Sequence, residues 1–137
     1  TSTLVVSTNN NNAWRVAIRD LNGKANTLSI RAAGNPSTYP AANNPDFANG
    51  WYLPSIGQLN VLFGELAAVN VGLSAAGGMQ IRDNGCVTEV NGNVLLWSST
   101  EKSASSAYAL EVRDGQIGGI NKASTTNKQY VRAIIDF

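Results

Sequence analysis

A mixed α+β fold, as a single domain over residues 1–137, is what this sequence predicts, on three observations. Residues 55–66 read as a capped amphipathic helix. The second half alternates short apolar runs with Asn-Gly and Asp-Gly reversals, the pattern of a loop-rich antiparallel β region. Both ends carry apolar runs, Leu4-Val5-Val6 and residues 130–137, which are natural neighbours in one sheet, so paired terminal strands are expected.

Taken in order, Thr3 to Ser7 reads as a short strand that the Asn-rich run 9–12 terminates, because Asn side chains compete with the backbone for hydrogen bonds. Trp14, Val16 and Ile18 alternate with other residues, Asn22-Gly23 supplies a reversal, and Thr27-Leu28-Ser29-Ile30 follows. The segment is therefore expected to be a hairpin. From Ala33 to Gly50 no period survives among three prolines, and an ordered connector is expected with Tyr39 and Phe47 pinned on the core.

Ser55 with Gln58 three residues later makes a capping box, and Ile56, Leu59, Leu62, Phe63 and Leu66 recur at helical spacing. This helix should pack on the sheet and end near Gly72, with 74–78 as a flexible connector. Turns are expected at Asp83-Asn84-Gly85, Asn91-Gly92 and Asp114-Gly115. Between the last two, Tyr108, Leu110 and Val112 should face the core, while Ala107, Ala109, Glu111 and Arg113 face solvent. Ile117 and Ile120 return to the sheet.

Composition excludes several classes of function. At 137 residues a chain buries roughly 68–70% of its unfolded surface. With 43% apolar and 14% charged residues it has the means to form a core and does not resemble a disordered chain. A formal net charge of +1 gives no general pull towards nucleic acid or an anionic membrane. Thr1 opens no signal peptide, so either a mature form or an expressed segment is expected, and export is left open. The absence of histidine removes Ser-His-Asp and Cys-His nucleophiles and His-ligated metals, and the lone Cys86 rules out an internal disulfide and reads as a small buried hydrophobe. What remains is carboxylate chemistry, yet the nine acids are scattered. An enzyme would need Glu101 or Asp114 to meet another acid in a cleft.

The stretch Trp97-Ser98-Ser99-Thr100-Glu101 is poor core filler and reads as a built corner: a large indole followed by hydroxyls that satisfy backbone groups locally. With Arg132, these residues are expected to be structural, fixing a neighbouring surface through buried hydrogen bonds or an ion pair.

Three motifs, Gly50-Trp51-Tyr52-Leu53-Pro54-Ser55-Ile56-Gly57-Gln58-Leu59, the Trp97 stretch and Tyr130-Val131-Arg132-Ala133-Ile134, resemble those of bacterial C-type-lectin-like domains in order and spacing. The likeness covers the C-terminal two thirds. It is nearest to the variable proteins of diversity-generating retroelements, in which template adenines are mutated, asparagine codons above all, to vary surface residues before the domain's end. The resemblance implies a lectin-like fold whose irregular second half presents a ligand surface. Residues 103–128 carry residue types reachable from asparagine codons. Two departures matter: no Glu-Pro-Asn, Gln-Pro-Asp or Trp-Asn-Asp calcium motif is present, and one cysteine is too few for formylglycine-generating chemistry, so no metal or other cofactor is expected.

The function expected on this basis is non-enzymatic: a receptor-binding or adhesin domain on a cell surface, secreted, or on a phage particle. Its partner would be a protein or glycan receptor on another cell, with neither nucleic acid nor membrane insertion involved and self-association left open. The contact candidates are Ser103, Ser105, Ser106, Ala109, Glu111, Arg113, Gln116, Gly118, Ser124, Thr125 and Asn127. The alternative is a structural or assembly subunit of a surface fibre or phage particle with a fixed polar interface.

Overall fold

In a computed structural model, which describes residues 13–34, 39–81, 94–123 and 129–136, the expected N-terminal hairpin is replaced by two helices, α1 (Ala13–Ala17) and α2 (Gly23–Ala32). The apparent alternation misleads because the large residues face outward: Trp14 is 37% and Val16 48% exposed, while Ala13 and Ala17, one helical turn apart, are buried. In α2 the buried positions are Gly23, Asn26 and Thr27, again a helical pattern. Asn22-Gly23 therefore opens a helix. The Asn22 N–H donates to the Asp20 carboxylate at 2.9 Å, an Asx turn that redirects the chain into α2.

Two short 3-10 turns (Pro40–Asn43 and Phe47–Asn49) follow, and the segment is ordered as expected: Tyr39 is buried, and Phe47 is half-buried beneath the Arg31 guanidinium. Next comes α3 (Ile56–Gly64), with both bonds of the capping box formed: Gln58 N–H to Ser55 Oγ at 3.3 Å, and Ser55 N–H to Gln58 Oε1 at 3.0 Å. Ile56 and Leu59 are fully buried, each contributing about 1.5–3 kcal/mol by leaving water.

The helical stretch does not end at Gly72. It turns by 83° at Glu65 into α4 (Leu66–Ala75). Gly77, at φ 71°, closes α4 with a Schellman pair of bonds, Gly78 N–H to Leu73 O and Gly77 N–H to Ser74 O. Among the described residues no single helix is long and apolar enough to cross a membrane.

The sheet consists of β1 (Leu95–Ser103), β2 (Ser106–Glu111), β3 (Ile117–Asn121) and β4 (Gln129–Tyr130) in the order β3-β2-β1-β4. The first three strands are antiparallel neighbours, and β4 runs parallel to β1. The class is α+β. Among the described residues, the C-terminal run beyond β4 forms an isolated bridge in which the Ile134 N–H and carbonyl bond Tyr52 at 3.0 and 2.9 Å. The N-terminal strand with Leu4, Val5 and Val6, the turns at Asn84-Gly85 and Asn91-Gly92, and Cys86 lie outside the described residues.

Both faces of the sheet are covered, which corrects the expected one-sided pattern. On one face Leu96, Tyr108, Leu110 and Val112 pack with Ile56 and Leu59 of α3. On the other, Trp97, Ala107 and Ala109 pack with Tyr39, Ala41, Ala42 and Leu53. Small Ala side chains on β2 leave room there for the Tyr39 and Trp97 rings, which meet edge to face at 5.2 Å and 78°.

Candidate functional site

The Trp97 stretch is a corner formed by surplus residues in β1. Trp97 faces Ala109 and Glu101 faces Ala107, so four steps along β1 match two along β2 and leave two residues over. From Glu101 to Ser103, two steps match one between Ala107 and Ser106, leaving one more. Such bulges break the ladder and re-aim side chains. Ser98, Ser99 and Thr100 are all buried as a result.

The hydroxyls of Ser98 and Thr100 and the backbone of Ser98 and Ser99 meet partners distant in sequence, while the buried Ser99 Oγ has no hydrogen-bond partner among the described residues. Ser98 Oγ donates to the Tyr108 carbonyl at 2.7 Å, and the Tyr39 hydroxyl donates to the Ser98 carbonyl. Ser99 N–H donates to the Pro54 carbonyl at 2.7 Å. Thr100 Oγ1 donates to Asp20 Oδ2 at 2.6 Å and accepts the Ile56 N–H at 2.9 Å. Asp20 Oδ2 also accepts Asn26 Nδ2 at 2.7 Å, and the Asp20 carbonyl accepts Ser55 Oγ at 2.6 Å. The approach is close: a Cβ on Gly23 would lie 2.6 Å from Ser55 N, and one on Gly57 would overlap the carbonyl oxygens of Ile18 and Asp20. Asp20 is thus the junction of α2, α3 and β1. The sequence gives little sign of this role: the only local signal is Asn at two and six residues beyond Asp20.

At the end of β1, Glu101 holds Lys122 at 2.6 Å, with both side chains mostly buried. Lys122 also donates through Nζ to the Ala104 carbonyl at 3.1 Å and through its N–H to the Ser105 carbonyl at 2.9 Å. The chain leaving β3 is therefore clamped over the β1–β2 turn. Charge-assisted bonds of this kind are about twice as strong as neutral ones. Arg132 Nη2 donates to the Met79 carbonyl at 2.7 Å, tying the C-terminal segment to the connector after α4.

Of the contact candidates, Ser103, Ser105 and Ser106 come together at the β1–β2 turn, with Ser105 exposed and the other two half-buried. Arg113 and Gln116 are exposed at the opposite end of β2 and β3, and exposed Gly118 lies between the two ends. Two candidates are corrected. Ala109 is 1% exposed because it faces the Tyr39 and Trp97 cluster, and Glu111 is 9% exposed and turned against Arg113 at 3.0 Å. Ser124, Thr125 and Asn127 lie outside the described residues.

The β2–β3 turn is built as its residues suggest: Gly115 takes φ 72° and donates its N–H to the Glu111 carbonyl at 2.9 Å, and Gln116 N–H bonds Asp114 Oδ1 at 3.2 Å. The acids named for carboxylate chemistry have cationic partners. Glu101 pairs with Lys122, and Asp114 shares Arg113 with Glu111. Among the described residues no group of three or more His, Cys, Asp or Glu could hold a metal ion. Burial pushes the Tyr39 hydroxyl well above its ordinary value, and that of Tyr108 upward, so both stay protonated hydroxyls.

What the arrangement offers is a buried, hydrogen-bonded corner beside the polar β1–β2 turn, with a second polar turn at the opposite end of β2 and β3. Comparison of the chain with protein-family models, with curated proteins and with solved structures gives no match.

Proposed function

We propose that the chain is a non-enzymatic ligand-binding domain with a C-type-lectin-like fold, akin to the variable proteins of diversity-generating retroelements, and that it presents the turn at Ser103, Ser105 and Ser106 and the exposed β3 strand to a protein or glycan receptor. It would act at a cell surface, as a secreted protein or on a phage particle. One observation carries the reading: residues 98–100 are buried and bonded to Asp20, Pro54, Ile56 and Tyr108, whereas the segment that follows is polar, largely exposed and held in place by the Glu101–Lys122 pair. A binding surface gains precision when the residues beneath it are locked by packing and hydrogen bonds. Separating a fixed base from its display face also allows the face to change without loss of the fold.

The test is a library randomised at Ser103, Ser105, Ser106, Gln116 and Gly118, selected against a protein of known structure. Most members should keep the parental melting temperature, and selection should yield binders. A library that folds but gives no binder to several unrelated targets would refute the reading and favour a fixed assembly subunit, which sedimentation of the parent chain would reveal as a defined oligomer.

A further inference from the structure

The outer edge of β3 has a backbone pattern of its own. Two bonds set its phase: Glu111 N–H to the Gln116 carbonyl at 2.8 Å, and Lys122 N–H to the Ser105 carbonyl at 2.9 Å. Bonded and non-bonded pairs alternate in an antiparallel ladder. With Ala109 opposite Gly118 and Ala107 opposite Ile120, those two β3 residues bond inward to β2. The N–H and C=O groups of Ile117, Gly119 and Asn121 therefore point away from the sheet. Among the described residues no strand covers them, and Gly119 and Asn121 are exposed. The strand, Ile117-Gly118-Gly119-Ile120-Asn121, also lacks the proline, charge or bulge that usually guards a free edge.

Beside this edge lies a cation with no carboxylate partner among the described residues. The Lys102 side chain crosses over Gly119, where a Cβ would overlap its Cδ and come within 2.8 Å of Nζ. Nζ lies 5.9 Å from the Tyr108 ring centroid. Glycine at 119 thus leaves an ammonium on the rim of a strand whose backbone is open to pairing.

We propose that this edge takes up an extended segment of a protein ligand as a fifth strand, with a carboxylate on the residue paired with Gly119, where Lys102 receives it. The inference rests on the ligand-binding reading and gives it a ligand chemistry. Added strands bind through main-chain hydrogen bonds, while side chains at alternate positions give specificity. A second copy of the chain is a poorer occupant. Two β3 strands paired about Gly119 would bring both Lys102 ammonium groups together on one face, and like charges directly opposite are destabilising.

The test uses the full chain, isotope-labelled, and a capped peptide of serine and threonine with a central glutamate, about seven residues long, which is an ordinary strand length. The control peptide has a central lysine. Amide resonances of Ile117, Gly119 and Asn121 should shift and gain exchange protection, and the glutamate peptide should bind about five-fold more tightly, the upper range for an exposed ion pair. Lys102→Gln should abolish the preference and Lys102→Glu should invert it. Equal affinity for the two peptides, or shifts confined to the turn at 103–106, would overturn the edge proposal; so would concentration-dependent protection of the three amides without peptide, which would identify a second copy as the occupant. None of these results refutes the ligand-binding reading, which falls only if the library above yields no binder.

Discussion

Thr100 and Asp20 lie 80 residues apart in sequence and meet at 2.6 Å, the threonine hydroxyl donating to a buried carboxylate while accepting the first N–H of α3 from Ile56 at 2.9 Å. One hydroxyl therefore joins the sheet, the corner before α2 and the start of the central helix. Thr100→Val keeps the shape and removes the bonds. Each buried polar group left unpaired costs about 1–3 kcal/mol, so a clear fall in the urea midpoint is expected. Thr100→Ser should recover most of it. If valine is tolerated without loss, the junction is not what holds these elements.

Trp97→Ala should damage the fold itself. The ring is 6% exposed and lies edge to face against Tyr39, so its removal should cost about 3–5 kcal/mol, a large share of a domain's net stability. Thermal unfolding is the check. A variant that keeps its melting temperature would place Trp97 in the binding surface instead of beneath it.

Stability should fall on the alkaline side. Tyr39 is raised well above its ordinary 10.0 by burial, and Tyr52 is raised by burial and by its bond to Asp136. The unfolded chain releases these protons first, so stability is fully present below pH 10.0 and is lost as pH rises through the folded values. Asp136 behaves oppositely. Its carboxyl is lowered by the hydrogen bond from Tyr52 and then by Lys24, so its small contribution is present above the ordinary 3.8 and lost as pH falls through the depressed value. Urea midpoints across pH should therefore show an alkaline limb that Tyr39→Phe flattens. An unchanged limb in that variant would assign it to other groups.

Residues of the display region should divide by burial, not by position in sequence. Ser105→Tyr and Gln116→Tyr place new rings in solvent and should shift stability by no more than about 0.5 kcal/mol. Ala109→Tyr forces a ring into the Tyr39 and Trp97 cluster, and overpacking costs about 1–3 kcal/mol or more. Equal melting temperatures for all three variants would remove the distinction between base and surface.

What the sequence determined by itself is the structure settled within a few residues. Ser55 and Gln58 satisfy each other's backbone at the start of α3, Asp114-Gly115 supplies the positive φ of the β2–β3 turn, and Trp97 with its hydroxyl neighbours announces a packed corner. The first two rest on interactions among near neighbours, which residue types state directly, whereas the corner is announced by its composition and completed by residues far along the chain. Tertiary structure decided the rest. The run from Trp14 to Ile30 fits a hairpin as well as two helices, and in the helical arrangement the buried Asp20 carboxylate meets Asn26 and, from 80 residues away, Thr100. Ala109 and Glu111 alternate correctly with the core residues of β2 and are nonetheless buried, Ala109 because a second layer carrying Tyr39, Ala42 and Leu53 covers that face, and Glu111 at the strand's end beside Arg113. Alternation identifies the two faces of a strand; how many of them lose their water depends on what the remainder of the chain lays against them.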